Sequence, residues 1–280
     1  MNSRDALRAA SASNTFGGRA IRTESGPVVL TAIALSELLV HFALERFAGA
    51  EPLFAMAGGI VFLVVALRAM YSIATKTVQK HNLAVLDFER QRFDDARRVF
   101  VDIATGFAFR SVTAMALHNL AAIAVAESDF DEACVLARAS LSLTDEETDA
   151  SDLARQQFAF ALACAGQLRE SEALIARIDL ARAGSTVKAR VELTRSLIAY
   201  RDGRFAEAID ILRASRTLLR NVLNGMAAAM ADAIEAGAVS RIAGGYRGGA
   251  AAPSGLTYGS RSRAAIAKVI PGAEASLASR

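Results

Sequence analysis

The chain has no tryptophan, four prolines, two cysteines and three histidines among its 280 residues. Two cysteines build no disulfide framework. Cys134 and Cys164 stand inside apolar helical runs without CxxC spacing, as buried free thiols of a reducing compartment do. Of the histidines, His41 lies in an apolar run, and His81 and His118 lack a third ligand for zinc. No GxSxG, HExxH or glycine-rich phosphate loop occurs. The chain is therefore expected not to be an enzyme, with no catalytic residue, no metal and no cofactor. Scarce proline and abundant alanine, which loses no side-chain entropy in a helix, point to an all-α fold.

Excess positive charge is also missing from the body of the chain. The formal total is +3, but residues 1–26 carry +2 and residues 244–280 carry +4, so the segment between them sums to −3. A mildly acidic body is a poor phosphate-binding surface, and nucleic acid is not an expected partner.

What the chain does have is apolar length, at 53% hydrophobic residues. PVVLTAIALSELLVHFAL, 27–44, is broken only by Glu37 and His41, and a second run extends from Pro52 past Arg68 to Tyr71. Spanning a bilayer takes about 20 residues, and a terminal arginine can snorkel to the headgroups. The connection from Arg46 to Glu51 is short, so residues 27–74 are expected to form a transmembrane hairpin in contact with membrane lipid. Arg4, Arg8, Arg19 and Arg22 on one side and Arg68, Lys76 and Lys80 on the other keep both ends cytoplasmic, at an inner (plasma) membrane. Glu37 and His41 share a helix face. They form a polar pair that locks the hairpin or a homo-oligomer of it, or else carry an ion or proton function that the rest of the chain regulates. A third reading makes both runs buried core helices of a soluble repeat protein.

Beyond the hairpin, one short text recurs. Phe93, Phe130, Leu168 and Phe205 follow one another at intervals of 37, 38 and 37 residues. Three residues on stand Ala96, Ala133, Ser171 and Ala208, and four beyond those Phe100, Ala137, Ile175 and Leu212. An acid precedes each small residue: Asp95, Glu132, Glu170 and Glu207. The aromatic or leucine starts a helix and packs back on the one before. The small residue permits close crossing, and the acid sits where the helix dipole favours negative charge by about 0.3–1 kcal/mol. HNLA occurs at 81–84 and again at 118–121. A period of this size, with two amphipathic helices per unit, is the signature of an α-solenoid.

On these residues the chain resembles the tetratricopeptide repeat (TPR) family, which has a small residue in the first helix, a glycine then an aromatic at the turn, and an alanine in the second helix. Ala84, Gln91, Phe93 and Ala96 stand there in unit one, and Ala121, Ser128, Phe130 and Ala133 in unit two. Gly166, Leu168 and Ser171 serve unit three; Gly203, Phe205 and Ala208 serve unit four. The resemblance covers 77–216; the period exceeds the family's usual length and the turn glycine stands only twice. It implies helix pairs near 75–90 with 93–106, 112–127 with 130–143, 152–165 with 168–178, and 187–201 with 204–217. Residues 75–243 then form a repeat domain closed by a capping helix in the run from 218, between a disordered basic N-terminus (1–26) and a disordered basic tail (244–280).

The family's first helices line a concave face that holds a protein or peptide partner. By register the bordering positions here are Val78, His81, Asn82, Val85 and Phe88, then Met115, His118, Asn119 and Ala122, then Gln156, Gln157 and Phe160. Side-chain amides at Asn82 and Asn119 can donate to and accept from a peptide backbone at once. The expectation is a membrane-anchored scaffold or adaptor.

Overall fold

The computed structural model describes residues 15–16, 19–20, 52–106, 108–144, 148–223, 225–243 and 260–270. The first apolar run, 27–44, lies outside them. Within the basic leader that reads as unstructured, β1 (Thr15–Phe16) and β2 (Arg19–Ala20) pair as a two-residue antiparallel ladder. Every other described element is helical.

The helices are α1 (Pro52–Glu89), α2 (Phe93–Thr105), α3 (Arg110–Ala126), α4 (Phe130–Ser142), α5 (Asp149–Ala165), α6 (Leu168–Ile175), α7 (Ser185–Arg201), α8 (Phe205–Ala214), α9 (Arg216–Val222), α10 (Gly225–Ile242) and α11 (Ser260–Val269). Each even helix from α2 to α8 packs on the odd helix before it, and the first helices touch in succession, α1 on α3, α3 on α5 and α5 on α7.

The four recurrent positions start α2, α4, α6 and α8. The residue two before each of them takes a left-handed backbone: Gln91 at φ 61°, Ser128 at 64°, Gly166 at 88° and Gly203 at 80°. Hydrogen bonding is also the same four times. The N–H groups of Gln91, Ser128, Gly166 and Gly203 reach back three residues to the carbonyls of Phe88, Val125, Ala163 and Tyr200. The N–H groups of Arg92, Asp129, Gln167 and Arg204 reach back five, to Asp87, Ala124, Leu162 and Ala199. This is a Schellman closure, which satisfies the carbonyls a helix end leaves orphaned. Glycine is the easy residue for it, yet Gln91 and Ser128 adopt the same conformation.

Each column of the repeat has a packing role. Ala96, Ala133, Ser171 and Ala208 are fully buried, as are Ala84, Ala121 and Ala159 on the first helices. The Ser171 hydroxyl donates to the Ala159 carbonyl at 2.6 Å, so its polarity is satisfied inside the crossing. Phe100, Ala137, Ile175 and Leu212 continue the buried face. Arg97 of α2 ties the first two pairs together, with ion pairs to Glu127 and, at 3.0 Å, to Glu132 of α4.

Three expectations are corrected. The boundary at 74/75 is not a break in the chain, because α1 runs unbroken through it. At about 1.5 Å per residue α1 is roughly 57 Å long, and what changes along it is the surroundings. Between Val61 and Ile73 most of its large side chains are exposed, Tyr71 at 75%, with Phe62 and Met70 half-buried, whereas His81 and Ala84 are buried against the body. The run from 218 is not one helix either, since α9 ends at Val222, Leu223 is extended, and α10 begins at Gly225 and packs across α7 and α8. The third correction concerns the tail, where residues 260–270 are folded. Ile266, Val269 and Ile270 recur at helical spacing and are fully buried, and α11 packs on α3 and α10. Arg261 pairs with Asp94 at 3.3 Å, and the Lys268 ammonium donates to the Ser128 carbonyl at 2.9 Å while standing 5.0 Å from the Phe130 ring centre.

Candidate functional site

Two columns of the first-helix layer are polar but for one leucine: His81, His118, Gln156 and the apolar Leu193 in one, Asn82, Asn119, Gln157 and Thr194 in the next. They form rungs between neighbouring units. Asn119 on α3 meets the ring Nε2 of His81 on α1 at 3.0 Å, and Gln156 on α5 donates its amide to the Thr194 hydroxyl on α7 at 3.2 Å. In both rungs the second column of one unit joins the first column of the unit before. The middle junction, His118 with Gln157, is open: neither makes a side-chain hydrogen bond among the described residues.

A cavity of about 390 Å³ lies at that open rung. Its walls come from seven helices and a turn. Phe88 and Glu89 of α1 and Phe93 of α2 form one end, with Gln91 of the turn between them. His118, Asn119 and Ala122 of α3, with Gln156, Gln157 and Phe160 of α5, form the floor. Arg190 and Leu193 of α7, the first turn of α10 at Gly225–Ala227, and Ser262 of α11 complete it.

Burial is the dominant influence on His118. Together with the nearby Arg190 guanidinium and His81, it pulls the imidazole down to about 3, so the ring is neutral at physiological pH. Burial also lowers Arg190 below the usual guanidinium value, and no anionic neighbour opposes it. Among the described residues the Arg190 side chain has no hydrogen bond or ion pair. Gln156 is 2% exposed, and its Oε1 has no partner among the described residues, its amide nitrogen being committed to Thr194. The cavity thus holds one cation, one unpaired acceptor and a neutral imidazole between aromatic walls, with the Glu89 carboxylate at its exposed rim.

Of the sequence-derived positions, Phe88, His118, Asn119, Ala122, Gln156, Gln157 and Phe160 come together in the cavity wall. His81 is buried behind it, 5.3 Å from the ring centre of Phe100, and acts through its bond to Asn119. Asn82 and Met115 are exposed and Val85 is half-buried, all outside the cavity. Asn119 is thus engaged in a helix–helix hydrogen bond. Glu37 and His41 lie outside the described residues. Arg190 and Leu193 were missed, although the register finds them: one column runs Val78, Met115, Leu153, Arg190 and another His81, His118, Gln156, Leu193. Nothing in the local sequence announces the walls from α10 and α11.

Among the described residues no three His, Cys, Asp or Glu side chains gather into a metal-binding group. Cys134 and Cys164 are free, and burial raises both thiols, Cys134 to about 11. One described helix is long and apolar enough to cross a membrane: the Val61–Glu89 portion of α1 contains an 18-residue window of mean hydropathy 1.5 with none of it buried. No protein-family model matches the chain, and neither curated proteins nor solved structures yield a match.

Proposed function

We propose that the chain is a membrane-anchored, TPR-like α-solenoid scaffold that holds a protein or peptide partner against its first-helix layer. The observation that carries this reading is the fourfold recurrence of one turn. Four left-handed residues with four identical closures stack the first helices side by side, and such a layer is a shape that receives an extended or helical segment.

The anchor is supported by α1. A soluble body would not leave Val61, Val64, Val65, Leu67 and Tyr71 exposed together along one helix, because an apolar surface of that extent needs a covering phase. A lipid bilayer supplies it, with residues 27–44 as the second arm of a hairpin and both ends in the cytoplasm. Tethering raises the effective concentration of the scaffold for partners in the same membrane.

The anchor is tested by alkaline carbonate extraction: the chain should stay with the membrane pellet, and release into the soluble fraction would remove the anchor from the account. The binding layer is tested by photo-crosslinking from Met115 and Phe160 in native membranes, compared with exposed positions on the second helices.

A further inference from the structure

The cavity at the open rung is equipped for more than a polypeptide backbone. An arginine without a partner is costly to bury, since the guanidinium gives up water and receives nothing in return. Arg190 accepts that cost at the wall of a cavity, where an incoming anion would repay it with a charge-assisted hydrogen bond. The first turn of α10 forms another part of the wall, and the first N–H groups of a helix have no acceptor within it. Gln156 adds the opposite demand: a buried carbonyl oxygen without a donor. Phe160, Phe88 and Met226 are apolar walls. The volume of about 390 Å³ falls within the range of small-molecule sites, roughly 300–1,000 Å³.

We propose that this cavity binds a small organic carboxylate that also bears a hydrogen-bond donor. Its carboxylate lies against Arg190 and the first turn of α10, its donor against Oε1 of Gln156, and its flat apolar body between Phe160 and Met226. Such a ligand would fasten α5, α7 and α10 to one another beside the junction of α3 with α5, which has no polar rung among the described residues.

The test uses the purified full chain in detergent and needs no protein partner, so its failure is distinguishable from failure of the scaffold reading. The probe is 5-fluoroindole-2-carboxylate, which has a carboxylate, an adjacent N–H and a flat body; its fluorine NMR line is followed as protein is added. The line should broaden with wild-type protein. The neutral 5-fluoroindole-2-carboxamide should bind at least about tenfold more weakly, because the charged hydrogen bond is lost. Arg190→Gln, with its helicity and melting checked, should erase that preference. Inorganic phosphate at equal concentration, which lacks the apolar body, should leave the probe bound. Equal affinity for acid and amide in the wild type would overturn the proposal, as would absence of binding by both or displacement of the probe by phosphate.

Discussion

A β-carbon built onto Gly237 in the middle of α10 would stand 2.8 Å from the hydroxyl oxygen of Tyr200 and 3.1 Å from its ring. Glycine in a helix interior costs up to about 1 kcal/mol relative to alanine, and here the close approach of α10 to α7 explains its presence. Gly237→Ala should therefore destabilise the protein by about 1–3 kcal/mol in chemical unfolding, because the overpacking outweighs the propensity gain. A stabilised Gly237→Ala variant would mean that the two helices can part at little cost.

The four turns make paired predictions of opposite sign. Gln91 holds a left-handed conformation that costs an L residue roughly 1–2 kcal/mol, so Gln91→Gly should stabilise by up to about 1 kcal/mol. At Gly203 an added β-carbon meets nothing within 4 Å, so any loss in Gly203→Ala comes from backbone strain alone and should be about 1 kcal/mol. Thermal melting of both variants checks the signs together.

Much of the repeat was legible because it depends on local chemistry. The aromatic or leucine start, the small residue at the crossing and the acid in the first turn each act within a few residues of their own position, and α2, α4, α6 and α8 begin where those residues stand. The boundary at 74/75 was misleading because a change from apolar to polar composition is a change of surroundings, and nothing between Tyr71 and Glu89 breaks a helix. The folding of α11 was hidden by the glycine, serine and arginine text around it, although Ile266, Val269 and Ile270 carry the helical spacing. The cavity was half legible: its α1, α3 and α5 walls follow from register, Arg190 follows once the register is carried one unit further, and the contribution of α10 and α11 is tertiary.

Stability should fall on mild acidification. The imidazole of His118 sits at about 3 in the folded chain against about 6.5 unfolded. The unfolded state therefore binds the extra proton as pH drops below about 6.5, and stability is lost progressively from there toward pH 3. Between pH 7.5 and 5.5 this one group should remove about 1 kcal/mol. His118→Gln should flatten that part of the profile in urea unfolding. An unchanged slope in the variant would assign the acid sensitivity to other groups.

Arg97 joins the first two helix pairs through Glu127 and Glu132, and all three are largely shielded from water. Glu132 already has one buried carboxylate oxygen without a partner among the described residues. Arg97→Ala should cost about 3 kcal/mol by leaving Glu132 buried and unpaired and Glu127 with only Arg261, at 3.6 Å. Arg98→Ala, one residue away and 74% exposed, should cost less than about 0.5 kcal/mol. Denaturant midpoints of the two variants give the comparison directly.

Photo-crosslinking in native membranes tests the scaffold most directly. A benzophenone side chain is placed at Met115 or Phe160 on the first-helix layer, and at Arg98 or Asp210 on exposed second-helix surface. Discrete adducts with one protein from the first two positions, and none from the other two, are the expected result. Adducts of the same protein from all four positions, or from only Arg98 and Asp210, would contradict a partner held by the first helices.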